Sequence, residues 1–337
     1  MSYLTVIVPF YNTEKYLPDC IKSLKEQTFK DFCCIMVDDN SSDNSRKICE
    51  EAVESDNRFI VIHNEKNLGS SKSREEALKL VKTEYVTFAD SDDTIPPDAF
   101  EELVRVQKET GAKIVVGGRR YTDYEDNERS RISHVDNVDD VLKYYFELRG
   151  DTTPKGAGLW VLWAKAYKTQ LFENIIFPEF SNGEDQCINI QICNKINGSD
   201  FAFTEKCVYT HRDNPNSLMH CVDREQNQTL KDSKEMIWRE WEKQWLIDNN
   251  LYDKYEMDFI ANVYLVGLGR FLILQNNPSK EDLQYIRSVY KQYKSKVKLT
   301  KKYALVLNFY YYVPLLAKLA NKMRKIIKKI GGMKIII

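Results

Sequence analysis

Several patterns that identify other classes of protein are missing from this 337-residue sequence. Its eight cysteines include no Cys-x-x-Cys pair, so the sequence has no zinc-binding pattern. Scattered cysteines of this kind indicate free thiols in a reducing compartment rather than a disulfide framework. It contains no Gly-x-Gly-x-x-Gly and no Walker lysine loop, which disfavours classical dinucleotide and ATP sites. No apolar run approaches the roughly 18 residues of a membrane-spanning helix, so none is expected.

No secretory leader precedes the first apolar run, and we expect an intracellular protein. The net charge of −1 is unevenly distributed. The segment 291–337 has 13 Lys and Arg and no Asp or Glu, which leaves 36 basic and 50 acidic residues before it. An acidic body with a basic tail predicts a negatively charged partner for the tail.

Short β-rich runs alternate with helical patterns through the first half of the chain. This alternation predicts an α/β, Rossmann-like fold, with a mostly parallel sheet and helices on both faces. The predicted strands are 5–9, 33–37, 59–62, 85–89 and 113–116, and the predicted helices are 16–26, 45–55, 71–81 and 98–110.

The second half is predicted to become helical. A charged stretch at 121–140 reads as a loop with an irregular helix, and a second strand-bearing region runs over 159–210. Beyond it the pattern predicts three helices at 226–248, 252–275 and 280–298.

Two apolar strands end abruptly in polar residues, at LTVIVPFYN (4–12) and VTFADSDDT (86–94). In open parallel sheets the ligand crevice lies at the carboxyl ends of the strands. We therefore expect both strand ends to line one site.

Asp38 and Asp39 close the second predicted strand. Two interpretations stay open for this pair. In one, Asn40, Ser41 or Asp43 caps the next helix and the aspartates flank the turn. In the other, one aspartate accepts a hydrogen bond from a base or ribose.

Asp90-Ser91-Asp92-Asp93 places three carboxylates in four residues directly after an apolar strand. Such charge density is unfavourable unless it is solvated or bound to a cation, and hard oxygen ligands suit Mg²⁺ or Mn²⁺. The alternative is a solvated acidic turn before a helix.

Three further stretches carry candidate functional groups. The segment 67–74 is either a plain helix start or a means of bringing Lys72 or Arg74 towards phosphate. Glu184-Asp185 is either a favourable helix N-terminus or the source of a general base. His211 follows another apolar strand and is either structural or a metal ligand.

Taken together, these residues resemble the family 2 glycosyltransferases, whose catalytic domain has the GT-A fold. The likeness covers roughly 1–220, and the fragments stand in the family's order. They are Val6-Ile7-Val8-Pro9-Phe10-Tyr11-Asn12, Ser23-Leu24 with Gln27-Thr28-Phe29, Val37-Asp38-Asp39-Asn40-Ser41, Asn67-Leu68-Gly69, Asp90-Ser91-Asp92-Asp93, Gly183-Glu184-Asp185, and Tyr209 with Arg212 and Ser217.

The resemblance implies a site for a nucleotide sugar, with UDP as the expected nucleotide. Pro9 and Tyr11 would contact the uracil side, Asp39 would pair with the base, and Asp90 would lie near the ribose and phosphates. Asn40 stands where glycine is usual in the family, and asparagine tolerates left-handed turns. Asn67, Gly69, Arg74 and Ser91 complete the implied site.

The resemblance also implies the chemistry. Asp92, with Asp90 and His211, would bind Mn²⁺ or Mg²⁺ against the diphosphate. Asp185 would act as base, with Glu184 beside it supporting the acceptor or the geometry. The expected reaction is a single displacement that inverts the anomeric carbon, with a glycan or lipid-linked glycan as acceptor, in surface polysaccharide synthesis.

The C-terminal tail, 301–337, is predicted to be a basic amphipathic segment on the cytoplasmic face of the membrane. Upstream of its apolar face, 303–316 is rich in tyrosine and contains Pro314. A basic amphipathic segment with aromatic neighbours binds anionic lipid without spanning it. The apolar face consists of Leu316, Leu319, Ala320, Met323, Ile326, Ile327 and Ile330.

Other interpretations remain. The tail could be an ordinary amphipathic helix that packs on the body; a nucleic-acid arm would leave its apolar face without a role. A sugar nucleotidyltransferase would need a glycine-rich basic loop where 10–14 reads FYNTE. A non-catalytic sugar-nucleotide-binding relative would be favoured by loss of Asp92 or Asp185, and both are present. The predicted domains are 1–220, 221–300 and 301–337, and the sequence is compatible with an oligomer.

Overall fold

The protein divides into two compact units in a computed structural model. One comprises Met1–Tyr145 and Thr153–Pro215, and the other comprises Phe146–Thr152 and Asn216–Ile337. The residues that the structure describes are 2–122, 140–150, 159–180, 182–212, 214, 229–274, 278–297 and 301–312. The predicted loop at 121–140 and the apolar face of the tail fall almost wholly outside these residues.

The first unit contains a sheet that has seven strands in the described residues, in the order β3-β2-β1-β4-β6-β5-β7. All five strands predicted in the first half are confirmed. The strands are β1 (Leu4–Phe10), β2 (Phe32–Asp38), β3 (Phe59–His63), β4 (Tyr85–Phe88), β5 (Ile114–Tyr121), β6 (Lys165–Lys168) and β7 (Phe201–His211).

The sheet is mostly parallel, as predicted. β1 lies between β2 and β4 and runs parallel to both, with Leu4 opposite Phe32 on one side and Tyr85 on the other. β6 is the exception, since it runs antiparallel to both β4 and β5. Every residue of β1 is buried, which explains why its sequence is a continuous apolar run.

Helices of the first unit follow the predicted pattern. The prediction for the second helix matches the structure at both ends, and the third ends three residues earlier than predicted. The helices are α1 (Leu17–Lys25), α2 (Ser45–Ser55), α3 (Gly69–Leu78), α4 (Ala99–Thr110) and α6 (Glu184–Cys193), while α5 (Val141–Gly150) begins in the first unit and ends in the second.

One apolar core holds β1 against these helices. Val6 and Val8, two apart and therefore on the same face of the strand, belong to the same buried cluster as Leu17 of α1 and Phe100 of α4. The polar residues that form the site lie at the carboxyl end of β1.

The second unit is helical in the described residues. The first of its predicted helices begins at Lys234 rather than 226, because the backbone is extended at Ser233; 226–228 lie outside the described residues. The second predicted helix is interrupted by a π-helical turn at Ile260–Tyr264. The helices are α7 (Lys234–Asp248), α8 (Tyr252–Phe259), α9 (Leu265–Leu274), α10 (Lys280–Tyr293) and α11 (Lys301–Tyr312).

A buried ionic cluster joins three helical segments of this unit. Arg239 donates through Nη1 to Glu235 at 2.9 Å and through Nε to the carbonyl of Val263, in the π-helical turn, at 3.0 Å. Arg270 pairs with the same glutamate at 2.9 Å. Within the described residues, no helix has the length and apolar character needed to cross a bilayer.

Candidate active site

The carboxyl ends of β1, β2 and β4 meet at one edge of the sheet. Phe10, the last residue of β1, lies opposite Asp38, the last residue of β2. The amide of Ala89, just after β4, donates to the carbonyl of Ile7 at 3.0 Å. Parallel pairing therefore brings the two polar strand ends of the sequence together, as expected.

Asp39 organises the turn that begins α3. Its carboxylate accepts hydrogen bonds from the amides of Leu68 and Gly69 and from the side chain of Asn64, each at 2.8 Å. Gly69 adopts a left-handed φ of 83°, which glycine allows without strain. Asn67 is exposed. The side chain of Asp39 thus links the Val-Asp-Asp motif to the Asn-Leu-Gly motif.

Asp38 is buried and satisfied locally. It accepts hydrogen bonds from the amide of Ser41 at 2.9 Å and from Arg46 at 2.7 Å, and His63 lies 3.3 Å away. Burial raises the pKa of Asp38, but these hydrogen bonds outweigh it and hold the pKa below its ordinary value. Asn40 adopts a φ of 64°, the left-handed turn that asparagine tolerates in place of glycine.

The structure agrees in part with the interpretation that Asn40, Ser41 or Asp43 caps the second helix. Asn44, rather than Asn40 or Ser41, stands at the cap of α2, and its side chain makes no capping hydrogen bond. Asp43 accepts the amide hydrogen of Ser45 at 2.9 Å. Asp43 therefore serves the helix start, while Asp39 is directed to the turn before α3.

Arg74 contacts carboxylates from two different parts of the chain. Its Nη2 donates to Asp90 at 2.8 Å, and its Nη1 donates to Glu184 at 3.3 Å and lies 3.5 Å from Asp185. Ser70 also donates to Glu184, at 2.7 Å. Burial opposes the charge of Arg74, but the three carboxylates raise its pKa, so the guanidinium stays protonated among them.

Asp185 combines a raised pKa with an oxygen that lacks a donor. Oδ2 accepts the amide hydrogen of Leu162 at 3.0 Å, whereas the buried Oδ1 accepts no hydrogen bond from the described residues. Burial, with Glu184 and Asp90, raises the pKa of Asp185 to about 7 against the opposing effect of Arg74. A carboxylate with a pKa near 7 is suited to general base catalysis.

The acidic motif after β4 is tied to the end of β7. Asp93 is buried and accepts hydrogen bonds from the hydroxyl of Tyr209 and the amide of Arg212, both at 2.7 Å. Asn214 donates to Asp92 at 2.8 Å. Of these residues, only Asp92 was a predicted site residue. Asp93, Tyr209 and Arg212 belonged to the motifs of the family resemblance without a role, and Asn214 was missed.

The remaining predicted residues occupy varied environments. Pro9 and Ser91 are buried, whereas Tyr11 is 47% exposed. His211 ends β7, where its ring lies 5.3 Å from that of Tyr121. Its Nδ1 is buried and makes no hydrogen bond with the described residues.

Metal binding by Asp92, Asp90 and His211 remains a prediction. The described residues contain no group of three or more His, Cys, Asp or Glu placed to hold a metal ion. Burial and the charge of Asp90 raise the pKa of Asp92, while Asn214 and His211 lower it. The residues present suit an ion that takes one or two protein carboxylates and completes its shell with phosphate oxygens.

Aromatic rings lie beside this edge. Trp163 stacks on Tyr209 with centroids 4.5 Å apart. The guanidinium of Arg119 lies over the rings of Trp160 and Trp163, at 5.7 and 5.4 Å from their centroids. Burial lowers the pKa of Arg119. Arg119 was not among the predicted site residues.

Comparisons with known proteins agree with this architecture. The model of glycosyl transferase family 2 matches residues 5–176. Glycosyltransferase GlyA of Streptococcus pneumoniae serotype 4 is 34% identical over 215 residues, which cover 62% of this chain and 29% of that protein. The teichoic acid poly(glycerol phosphate) polymerase of Staphylococcus epidermidis is 40% identical over 96 residues, or 28% of this chain and 13% of that protein.

Among solved structures, S. aureus TarS 1-349 in complex with UDP-GlcNAc has a TM-score of 0.57 and 20% identity, covering 91% of each chain. At this identity the likeness bears on the fold, which is that of the GT-A type. The chain spans less than a third of the length of either curated relative. Since the family model covers half of the sequence, the chain belongs to glycosyl transferase family 2.

Proposed function

We propose that this protein transfers a sugar from a UDP-sugar to a hydroxyl of a glycan or lipid-linked glycan acceptor, in bacterial surface polysaccharide synthesis. The observation that carries the proposal is the carboxylate of Asp185. It ends a chain of contacts that runs through Arg74 to Asp90, at the edge of the sheet where the nucleotide would lie. A membership of glycosyl transferase family 2 supports the reaction class.

The nucleotide would bind above the carboxyl ends of β1 and β2. Oδ2 of Asp39 accepts one hydrogen bond, from Gly69, and a carboxylate oxygen can accept a second. That leaves capacity for an N–H of the base. Tyr11 is exposed enough to cover a ring, and Pro9 would line the uracil side.

Asp185 would act as the general base. The acceptor hydroxyl gives its proton to the carboxylate and its oxygen forms a bond to the anomeric carbon as the bond to the diphosphate breaks. The attack comes from the face opposite the nucleotide, so the configuration inverts. Arg74 would balance the charge of the base, and Glu184 would help to hold Arg74 in place.

Asp92 would hold a divalent cation, with His211 and Asp90 as further candidate ligands. Bound there, Mn²⁺ or Mg²⁺ would stabilise the negative charge of the departing diphosphate. Asp90 already accepts a hydrogen bond from Arg74, which would leave Asp92 as the principal protein ligand.

The acceptor and the membrane surface complete the proposal. Similarity to the teichoic acid polymerase supports a surface polymer or its lipid-linked precursor as acceptor. The basic tail would then keep the enzyme on an anionic membrane surface.

The test replaces Asp185 by asparagine, which keeps the shape and removes the base. UDP release from a panel of UDP-sugars, including UDP-GlcNAc, is measured together with calorimetric binding of UDP. We expect transfer to fall by about 10²–10⁴-fold with UDP binding retained. Asp200→Asn, which alters a carboxylate paired with Lys113 away from the site, is the control. Full transfer by Asp185→Asn would refute the assignment.

A further inference from the structure

Lys165 is a buried cation for which the proposed mechanism has no use. It begins β6 and is 1% exposed. Its ammonium group forms no ion pair with any carboxylate in the part of the chain that the structure describes, and it donates a hydrogen bond to the carbonyl oxygen of Val161. Burying an unpaired ammonium group is unfavourable by several kcal/mol, which calls for an explanation.

The peptide group that Lys165 holds is the one that contacts the proposed base. The carbonyl of Val161 and the amide of Leu162 belong to the same peptide bond. While the oxygen accepts from Lys165, the N–H donates to Oδ2 of Asp185 at 3.0 Å. A cation at the oxygen polarises the peptide and strengthens its N–H as a donor.

Neighbouring residues fix the same peptide. The hydroxyl of Tyr167 lies 3.4 Å from the carbonyl oxygen of Val161 and 3.3 Å from the side-chain oxygen of Asn189. Asn189 in turn donates to the main-chain carbonyl of Asp185 at 2.8 Å. The peptide and the base are therefore joined by two routes.

The backbone between Val161 and Lys165 is also strained. Ala164 has a φ of 60°, a left-handed conformation that is unfavourable for a residue with a Cβ and persists only where the surroundings enforce it. Its carbonyl accepts the amide hydrogen of Gly117 at 2.9 Å. Strain of this kind is found where a segment must present one group in one orientation.

We propose that Lys165 is a positioning residue for Asp185, which it orients and keeps ionised through the peptide group of Val161 and Leu162. The proposal rests on the proposed role of Asp185 as base. Lys165 would act on the base through this peptide rather than on the reacting atoms.

Charged groups on four parts of the chain act on Asp185. Arg74 of α3 and Lys165 of β6 favour its ionised form, whereas Glu184 of α6 and Asp90 after β4 disfavour it. Burial, with Arg119, lowers the pKa of Lys165 to about 7 while Asp185 opposes that change. The charges of Lys165 and Asp185 thus support each other.

The test measures the pKa of Asp185 through stability, without needing the true donor. Asp185 has a raised pKa in the folded state, so its ionisation reduces the free energy of unfolding as pH rises from about 4 to about 7. The Asp185→Asn variant has no carboxyl group at this position, so its free energy of unfolding does not fall for this reason. The difference in Tm between the parent and Asp185→Asn, taken from pH 4 to 9 in EDTA, therefore reports the ionisation of Asp185 together with its coupling to Lys165, whose pKa lies in the same range.

In a Lys165→Met background, we expect the pH at which this difference levels off to move upward by about one unit. Lys165→Arg keeps the charge and should restore most of the parent profile. Lys195→Met is the matched control, because Lys195 also donates to carbonyl oxygens, those of Leu171 and Glu173. That control should leave the profile unchanged. If Lys165→Met does not fold, Tyr167→Phe should shift the profile in the same direction by less.

Activity separates this proposal from the one on which it rests. With UDP-GlcNAc as probe at pH 6, below the pKa of the base, Lys165→Met should lower kcat for UDP release by about tenfold with KM within about twofold. An unshifted titration in both Lys165→Met and Tyr167→Phe would overturn the positioning role, even if Asp185→Asn is inactive. Full activity of Asp185→Asn, by contrast, would refute the base and leave the titration result standing.

Discussion

The Nη1 atom of Arg74 lies 3.5 Å from Oδ1 of Asp185. That oxygen is buried and accepts no hydrogen bond from the described residues, so the guanidinium is its main source of stabilisation. Arg74 also holds Asp90 and Glu184. One buried cation therefore sets the charge balance of three carboxylates from two parts of the chain.

Removing this cation should destabilise the protein. Arg74→Met leaves three carboxylates close together, and we expect the free energy of unfolding at pH 7 to fall by about 3 kcal/mol. The loss should shrink towards pH 4, where the carboxyl groups become protonated. Urea denaturation at both pH values tests this. Arg58→Met, which breaks a 2.6 Å pair with Asp56 away from the site, should cost less, and an equal loss in the two variants would contradict the account.

The pH dependence of transfer should follow Asp185. The general base must be ionised to accept a proton, and burial raises the pKa of this group to about 7. We therefore expect kcat to rise tenfold per pH unit below about pH 7 and to level off above it. Steady-state UDP release from pH 5 to 9 measures the profile. A plateau that extends down to pH 5 would show that a different group accepts the proton.

Much of the fold could be predicted from the sequence, because strands buried in a parallel sheet have continuous apolar sequences. β1 and β2 were predicted to within a residue or two for this reason. The site edge followed from the polar residues at their carboxyl ends. Family resemblance then supplied roles for Asp92 and Asp185, and these roles stay predictions.

The contacts of the site could not be predicted, because they join residues far apart in the chain. An approach of Arg74 to phosphate was one open interpretation of the sequence, and the contacts of its guanidinium with Asp90, Glu184 and Asp185 were not foreseen. Lys165 was overlooked, although a single lysine within the apolar run 159–167 is a usable signal. The sequence does not show that Lys165 donates to the peptide group between Val161 and Leu162, which is the contact that explains its burial.

Gly267→Ala should destabilise the second unit. Alanine normally stabilises a helix interior by about 1 kcal/mol relative to glycine. Here its Cβ would lie 2.3 Å from Cδ and Nε of Arg239, whose guanidinium is fixed by Glu235 and Val263. Overpacking of this kind costs about 1–3 kcal/mol, so the net effect should be a lower free energy of unfolding. Thermal denaturation tests the sign, and a higher Tm would contradict it.

Deletion of residues 313–337 should release the protein from membranes. The cut follows α11, which contains the buried Leu307 and should be kept intact. The deleted segment holds most of the basic residues of the tail. Co-sedimentation with vesicles that contain about one-third anionic lipid, at low and high salt, measures binding. If the 337-residue protein does not bind these vesicles, or if the truncated protein still binds them, the proposed role of the tail is wrong.

The central claim is that the carboxyl edge of the sheet binds a uridine nucleotide with the help of a divalent cation. Titration calorimetry with UDP, with and without Mn²⁺, on the wild type and on Asp92→Ala tests it most directly. We predict binding that Mn²⁺ strengthens in the wild type and that Asp92→Ala weakens only when Mn²⁺ is present. Absence of UDP binding under both conditions would contradict the claim. So would an affinity for UDP that changes neither with Mn²⁺ nor with the Asp92→Ala substitution.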